Sequence, residues 1–158
     1  GTVMNTSTIA TALALTFTAG AGLAQETFEV NNIYRMNQET YQLADKIFYT
    51  QDNDGYFEVL QGPIEEGPVR CIGSGFGNQD GTGSIEGICI YGEGDDTFTM
   101  EWQAGEQGAA NTWVIETGSG IYAGITGQGI ATTAVEIMYK AMPLRQSHVI
   151  GTITLPPN

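Results

Sequence analysis

The amino-acid sequence predicts an all-β domain of about eight antiparallel strands, arranged as a sandwich or a barrel. Three observations indicate this class. The chain of 158 residues contains 22 glycines, and threonine, isoleucine, valine and aromatic residues fill the segments between them, which favours strands over helices. No segment carries the sustained 3.6-residue apolar periodicity of a long amphipathic helix. Turn-forming residues recur at short intervals, as they do in antiparallel sandwiches and barrels.

The first 24 residues are predicted to be separate from this β domain. Residues 1–3 before Met4 resemble a cloning remnant. Residues 5–24 carry no charge, have a short apolar centre and end in a small-x-small pattern, which is typical of a signal peptide. No Lys or Arg precedes the apolar run, so a retained structural segment is the alternative. The stretch is too short for a transmembrane helix, and residues 25–158 are predicted to form one domain.

The first half of the domain is predicted to hold three or four strands. Residues 25–36 form the first strand, 37–39 a turn, and 40–50 one or two further strands. Residues 52–55, Asp-Asn-Asp-Gly, are predicted to form a turn, because Asp and Asn cap their own backbone and Gly adopts the left-handed conformation. A short strand is then expected at 56–60.

The clearest prediction is a hairpin that follows a polar loop at 61–68. Residues 69–76 and 84–91 flank a segment rich in turn formers, and the central register pairs positions whose numbers sum to 160. Cys71 then lies opposite Cys89. Opposed residues of antiparallel strands have Cβ atoms about 4.5–5.5 Å apart, near the separation that a disulfide needs. With a signal-like N-terminus we expect this disulfide and a secreted or periplasmic location; two reduced core cysteines in a cytosolic protein are the alternative.

The second half of the chain is predicted to add four strands, at 97–103, 111–117, 130–139 and 147–155. The first of them alternates strictly, with Phe98, Met100 and Trp102 on one face, and this is the strongest period-2 pattern of the sequence. Trp113 and Ile115 share a face of the second strand. The sequence therefore predicts that one face of each strand contributes to an apolar interior.

A glycine-rich corner joins the second and third of these strands. Residues 118–129 contain five glycines, which reach positive φ without steric cost and let another backbone come close. The same residues match the glycine pattern of a dinucleotide-binding motif, which has to lie at the N-terminus of a helix. The glycines that follow at once disfavour that helix by about 1 kcal/mol each relative to alanine, so we expect no dinucleotide cofactor. Further along, Pro143 is predicted to interrupt the chain before the last strand.

Composition limits the partners of this chain. It has 18 acidic and 5 basic residues, a formal net charge of −13, so nucleic acid and anionic membrane surfaces are disfavoured as partners. Two cysteines and the single histidine, His148, do not make a structural zinc site. The acidic turns lack the spacing of an EF-hand, and calcium is only a secondary alternative. We therefore expect no metal and no cofactor.

The order of motifs from Val69 to Gly129 resembles a known family. The motifs are Arg70-Cys71-x-Gly73, Gly81-x-Gly83-x-x-x-Gly87-x-Cys89, Gly92-Glu93-Gly94-Asp95-Asp96, Trp102 and the glycine corner. They are similar to small secreted bacterial proteins whose last motif resembles the glycine-rich segment of the allene oxide cyclase and dirigent barrels. The resemblance implies a single-domain, eight-stranded antiparallel β-barrel, calycin-like, with an apolar lumen. Only the glycine corner matches residue by residue, so no catalytic residue is carried over.

In such a barrel the predicted lumen side chains, which are the candidate ligand-binding residues, are Phe98, Met100, Trp102, Trp113, Ile115, Tyr122 and Tyr139. They would line a small-molecule pocket or fill the lumen themselves. A lumenal glutamate could act as a general acid or base, and Glu101, Glu116 and Glu136 are the candidates. The strand alternation favours solvent-facing glutamates, since Glu101 lies on the face opposite Trp102. His148 is predicted at the surface, near the start of the last strand.

Three functions fit these expectations. The first is a secreted or periplasmic barrel that binds a small hydrophobic molecule in its lumen. The second is a cyclase or isomerase that acts on an oily or phenolic intermediate in the same lumen, using one buried acid. The third is a structural or interaction protein with a filled barrel. We favour binding over catalysis, and a homo-oligomer is compatible with each of the three.

Overall fold

A computed structural model describes residues 23–157 of this chain. The predicted cloning remnant and nearly all of the predicted signal peptide lie outside the described residues. Strands dominate the described part, and they are Gln25–Arg35 (β1), Gln38–Gln42 (β2), Lys46–Gln61 (β3), Gly67–Asn78 (β4), Gly83–Glu93 (β5), Asp96–Gln103 (β6), Asn111–Gly118 (β7), Thr126–Tyr139 (β8) and Met142–Thr154 (β9). The helical segments described are two single 3-10 turns, Glu106–Gly108 and Gly120–Tyr122. Neither has the length or apolar character to cross a membrane.

Eight of the strands close into an antiparallel barrel. The sheet runs in the order β1, β9, β8, β7, β6, β5, β4, β3, and β3 pairs back with β1. Closure removes the free edges along most of the wall. The predicted all-β class and the eight-stranded antiparallel barrel are confirmed.

The ninth strand, β2, continues β1 after a bend. Arg35 of β1 pairs with Asp54 of β3, and Gln38 of β2 pairs with Gln51 of the same strand. The two pairs follow the same register along β3, so β1 and β2 are two parts of one bent strand. The turn predicted at 37–39 is therefore only this bend, and Gln38 already belongs to β2.

The β4–β5 hairpin has the predicted register. Cys71 pairs with Cys89, and Gly73 pairs with Gly87. A disulfide joins the two half-cystines, whose Cα atoms are 4.0 Å apart. Both are buried on the lumen side of the wall. The bridge therefore links neighbouring strands of the barrel across one rung of the ladder.

The turn predicted at 52–55 is wrong, since these residues lie in the middle of β3. Asn53 is fully buried, and its Oδ1 accepts a hydrogen bond of 2.8 Å from the Asn37 backbone N–H at the bend. A Cβ placed on Gly55 would lie 2.0 Å from the carbonyl oxygen of Ile33. Here Gly55 allows close packing of the two strands, and Asn53 satisfies a backbone N–H at the bend.

The break predicted at Pro143 is also wrong. Pro143 is the second residue of β9 and pairs with Met138. The turn lies just before it, at Lys140 and Ala141, whose φ angles are +47° and +64°. A proline near the end of a strand is tolerated, since it only withholds a donor there. Its carbonyl accepts a 2.9 Å hydrogen bond from the Met36 N–H.

The barrel has a filled half and a mouth half. The filled half lies at the end where the β7–β8 connection, residues 119–125 within the glycine corner, folds over the lumen and buries Tyr122 and Ile125. Tyr91 and Phe98 stack there with ring centroids 4.8 Å apart. The other fully buried side chains of this half are Phe28, Val30, Phe57, Ile115 and Ile153. The mouth half lies at the end of the β2–β3, β4–β5, β6–β7 and β8–β9 connections.

Candidate functional site

The mouth half contains a cavity of about 70 Å³. Polar and aromatic side chains make up much of its lining, among them Asn32, Tyr34, Trp102, Trp113, Arg145 and Ser147. Liquid water occupies about 30 Å³ per molecule, whereas pockets for whole drug-sized ligands measure about 300–1,000 Å³. The enclosed space therefore holds one functional group, with the rest of any ligand at the open rim.

Each tryptophan of the chain lies across two glycines on neighbouring strands. The glycines are Gly73, Gly87, Gly129 and Gly151. A Cβ placed on Gly73 would lie 2.3 Å from the Trp102 ring, and a Cβ on Gly129 would lie 2.5 Å from the Trp113 ring. The missing side chains make room for the indoles. Glycine thus fixes where two large aromatic faces stand beside the cavity.

Two buried polar atoms beside the cavity lack hydrogen-bond partners among the described residues. Asn32, 2% exposed, donates from Nδ2 to the Tyr91 hydroxyl at 2.8 Å, but its Oδ1 is unpartnered. Trp102 Nε1 is also unpartnered, whereas Trp113 Nε1 donates to the Ile130 carbonyl at 2.9 Å. A buried polar group left unpaired costs about 1–3 kcal/mol. The cavity therefore offers one acceptor and one donor to an incoming polar group.

A second polar cluster lies where the cavity meets the rim. The hydroxyls of Tyr34 and Ser147 are 2.8 Å apart and hydrogen-bonded. Arg145, whose side chain is 21% exposed, forms an ion pair of 2.6 Å with Glu136. Burial raises the pKa of the nearby Tyr49 to about 12, against the opposing effect of the Arg145 guanidinium. The rim thus combines hydroxyl groups with one partly shielded cation.

Tyr91 separates the cavity from the filled half. Its hydroxyl accepts from Asn32 and donates to Met100 Sδ at 3.7 Å. Burial raises the pKa of Tyr91, partly offset by the hydrogen bond from Asn32. Tyr91 is therefore neutral at pH 7, and it holds Asn32 in the orientation that leaves Oδ1 unpartnered.

The predicted lumen residues divide between the two halves of the barrel. Met100, Trp102 and Trp113 line the cavity. The filled half contains the buried side chains of Phe98, Ile115 and Tyr122. These six point inward because they occupy alternate positions of their strands or close the end of the barrel. Their role in binding a ligand stays a prediction.

Tyr139 does not lie in the lumen. It is 56% exposed and sits beside the turn between β8 and β9. β8 continues past Ala131, the last residue that pairs with β7. A bulge at Ala134 reverses the alternation of this extension, so Tyr139 lies on the outer face, which is why the prediction placed it wrongly.

The candidate glutamates do not gather at one buried position. Glu101 and Glu116 are exposed, as the alternation of their strands indicates. Glu136 lies at the rim, where Arg145 neutralises it. The described residues contain no group of three or more His, Cys, Asp or Glu side chains arranged to hold a metal ion.

His148 lies in the middle of β9 rather than near its start, because β9 already begins at Met142. Its ring is half-buried on the outer face, and Nε2 lies 2.8 Å from Glu29 Oε1. The histidine thus belongs to the outer wall and has no contact with the cavity.

Sequence reasoning missed the polar residues of the site. Asn32 and Tyr34 follow Phe28 and Val30 at alternate positions of β1, so a signal was present: polar residues on the inward face of a period-2 strand. Ser147 occupies the equivalent position two residues before the buried Val149. Such isolated polar residues point to a cavity only once the barrel brings them together.

Comparison with known proteins supports the fold alone. No protein-family model matches the chain, and no curated protein is similar to it at a significant level. A solved structure of the pterocarpan synthase dirigent protein GePTS1 aligns with a TM-score of 0.51 and 10% sequence identity, over 95% of this chain and 100% of that chain. The chain therefore has a dirigent-like barrel fold.

Proposed function

We propose that this protein binds a small, largely hydrophobic molecule, one end of which enters the mouth half of the barrel. The observation that carries the proposal is the pair of buried, unpartnered atoms, Asn32 Oδ1 and Trp102 Nε1, beside a cavity that side chains leave open. Two indole faces provide apolar contact there. A ligand that offers a donor to Asn32 Oδ1 and an acceptor to Trp102 Nε1 would satisfy both atoms.

The rest of the ligand would lie at the rim, since the filled half leaves no further room. Tyr34 and Ser147 offer hydroxyls at this level, and Arg145 provides one positive charge in a chain of net charge −13. Pockets of this kind join mostly apolar walls to a few polar groups that set orientation. The proposed ligand is therefore apolar over most of its surface and polar at the inserted end.

Binding is favoured over catalysis by the groups that surround the cavity. A cyclase or isomerase needs an acid or base that exchanges a proton with its substrate. The ionisable lining groups described are Tyr34, Tyr91 and Arg145, and burial keeps Tyr91 protonated. Carboxylates are absent from this described lining. The small enclosed volume also supports the alternative of a structural or interaction protein with a filled barrel.

We also propose that the protein works in an oxidising compartment, secreted or periplasmic. The Cys71–Cys89 bridge supports this location, since disulfides persist in such environments and are rare in the cytosol. Residues 5–24 would then belong to the signal peptide that directs export.

Tryptophan fluorescence tests the binding proposal directly. The chain contains two tryptophans, and both line the cavity, so a ligand in the mouth changes emission without any label. Native mass spectrometry of protein purified from its own host identifies the co-purified molecule, which is then titrated. We expect Asn32→Ala to weaken binding about tenfold or more, which corresponds to about 1.4 kcal/mol.

Asn31→Ala is the matched control. Asn31 is adjacent in sequence but lies on the outer face, where its side chain contacts Glu58, so its removal should leave the affinity unchanged. If no molecule co-purifies, or if the co-purified molecule causes no emission change, the filled-barrel function replaces the proposal.

A further inference from the structure

The end of the β8–β9 hairpin presents an unpaired sheet edge. β7 pairs with β8 only from Gly127 to Ala131, whereas β8 continues to Tyr139. A bulge at Ala134 marks the departure, and residues 135–139 then follow a regular ladder with β9. On their other side no strand of the described chain pairs with them, and all five are exposed. Free backbone groups on such an edge are a template for another strand.

This edge lacks the usual protection against strand pairing. Residues 135–139 read Val-Glu-Ile-Met-Tyr and contain no proline, glycine or lysine, the residues that normally blunt an edge. Glu136 is their one charge, and Arg145 on the neighbouring strand neutralises it. β-Branched and aromatic residues favour strand pairing. The composition of this segment therefore favours pairing with another strand.

The outer face beside this edge is apolar as well. Val135 and Ile137, the latter 53% exposed, share that face with Tyr139 and with Met142 of β9. Clustered exposed apolar side chains on a protein of this acidity mark an interaction surface more often than scattered ones do. The edge and this face form a single patch on one hairpin.

We propose that this edge pairs antiparallel with the same edge of a second copy of the chain, joining two barrels across a two-fold axis. Opposed residues share a face, so a symmetric register centres on one residue. Centring on Ile137 places Val135 opposite the partner's Tyr139, a β-branched–aromatic pair of the stabilising kind. Centring on Glu136 would oppose two carboxylates, which is destabilising. The register centred on Ile137 is therefore the one proposed.

Charge permits a second copy at this place. The chain carries −13 overall, and two such bodies repel each other over most of their surfaces. Residues 132–146 contain one acidic residue, Glu136, and two basic residues, Lys140 and Arg145, a formal charge of +1. In the proposed register Met138 faces the partner's Glu136, and Lys140 lies two positions beyond Met138. The hairpin is thus a part of the surface where two copies approach with little acidic repulsion.

Sedimentation velocity of the full chain over a range of concentrations tests the pairing. We expect a monomer–dimer equilibrium that Ile137→Lys weakens at least tenfold, because two opposed lysines repel at the centre of the ladder. Ile121→Lys is the matched control, since Ile121 is similarly exposed at the opposite end of the barrel and its change should leave the dimer intact. A wild-type chain that stays monomeric, or a dimer that Ile137→Lys does not weaken, overturns the proposal.

Cysteine cross-linking tests the register. Ile137→Cys should form an intermolecular disulfide on mild oxidation, because opposed residues lie within disulfide reach. Val135→Cys should not cross-link to itself, since four residues at about 3.3 Å each separate the two copies of that position. Equal cross-linking of both variants contradicts the register. Protected edge amides in a monomer would show that the chain's own residues cover the edge, and would also overturn the pairing.

Discussion

The positions of the two indole rings in this barrel depend on the absence of Cβ atoms at the glycines beneath them. Trp102 occupies space that a side chain on Gly73 or Gly87 would otherwise fill. A strand glycine usually weakens a sheet, since it has no side chain to pack. Here the cost is offset by an aromatic ring that covers two strands. The same device recurs under Trp113, so the cavity wall depends on four absent side chains.

Gly73→Ala tests this dependence. The new methyl group would lie 2.3 Å from the Trp102 ring, so the ring has to move or the strands have to separate. Overpacking of this kind costs about 1–3 kcal/mol. We expect the free energy of unfolding, measured by denaturant titration, to fall by that amount, with a change in tryptophan emission of the folded protein.

Gly67→Ala is the control on the same strand. A Cβ there meets only the Phe57 ring, at 3.9 Å, which is ordinary contact, so stability should change by less than about 0.5 kcal/mol. If both variants lose the same stability, strand propensity rather than the indole explains the glycine.

At the scale of elements, pattern-based prediction succeeded where one face of a strand is apolar. The β4–β5 hairpin and its disulfide register, and the alternation along β6, follow from period-2 burial, because a slip by one residue would expose the core face. These features are local. They need only the two strands concerned and the turn between them.

Prediction failed where turn-forming residues serve contacts distant in sequence. Asn53 and Gly55 are turn-forming residue types, but Asn53 accepts a hydrogen bond from the bend between β1 and β2, and Gly55 allows β1 to lie close to β3. The cavity has the same origin. Asn32 and Ser147 are far apart in the chain, and only barrel closure between β1 and β9 brings them to one side of the lumen. Local residue preferences contain no information on such closures.

The β8–β9 turn offers a prediction at this scale. Lys140 and Ala141 both adopt positive φ, which costs residues other than glycine about 1–2 kcal/mol each. Ala141→Gly removes that cost but adds freedom to the unfolded chain, worth about 0.4–1 kcal/mol. We expect a net gain of about 0.5–1 kcal/mol, seen as a higher midpoint of thermal unfolding.

Ala109→Gly serves as the comparison, since Ala109 has φ −64° and glycine there only adds freedom to the unfolded chain. This variant should lose stability or leave it unchanged. A loss of stability in Ala141→Gly would show that the hairpin turn is not strained.

At the scale of the whole molecule, two electrostatic effects oppose each other. Net charge of −13 on 158 residues destabilises the compact state through self-repulsion. Ion pairs act in the other direction, and those described that involve arginine are Arg35–Asp54, Arg70–Asp52 and Arg145–Glu136. Most of these side chains are well exposed, and such pairs are worth about 0–1 kcal/mol each. Because 18 acidic residues face only 5 basic ones, repulsion among the carboxylates outweighs the attraction of these pairs.

Salt should therefore stabilise this protein. Raising the ionic strength from 0.01 to 0.1 M shortens the Debye length from about 30 to about 10 Å, which screens carboxylates on different strands while leaving contact pairs less affected. We expect the free energy of unfolding at pH 7 to rise on the order of 1 kcal/mol, measured by thermal or denaturant unfolding at both salt concentrations. The increment should vanish near pH 4.1, the isoelectric point, because the net charge is then close to zero. A fall in stability with salt at pH 7 would mean that the arginine pairs outweigh the repulsion, and that acidity does not oppose the folding of this barrel.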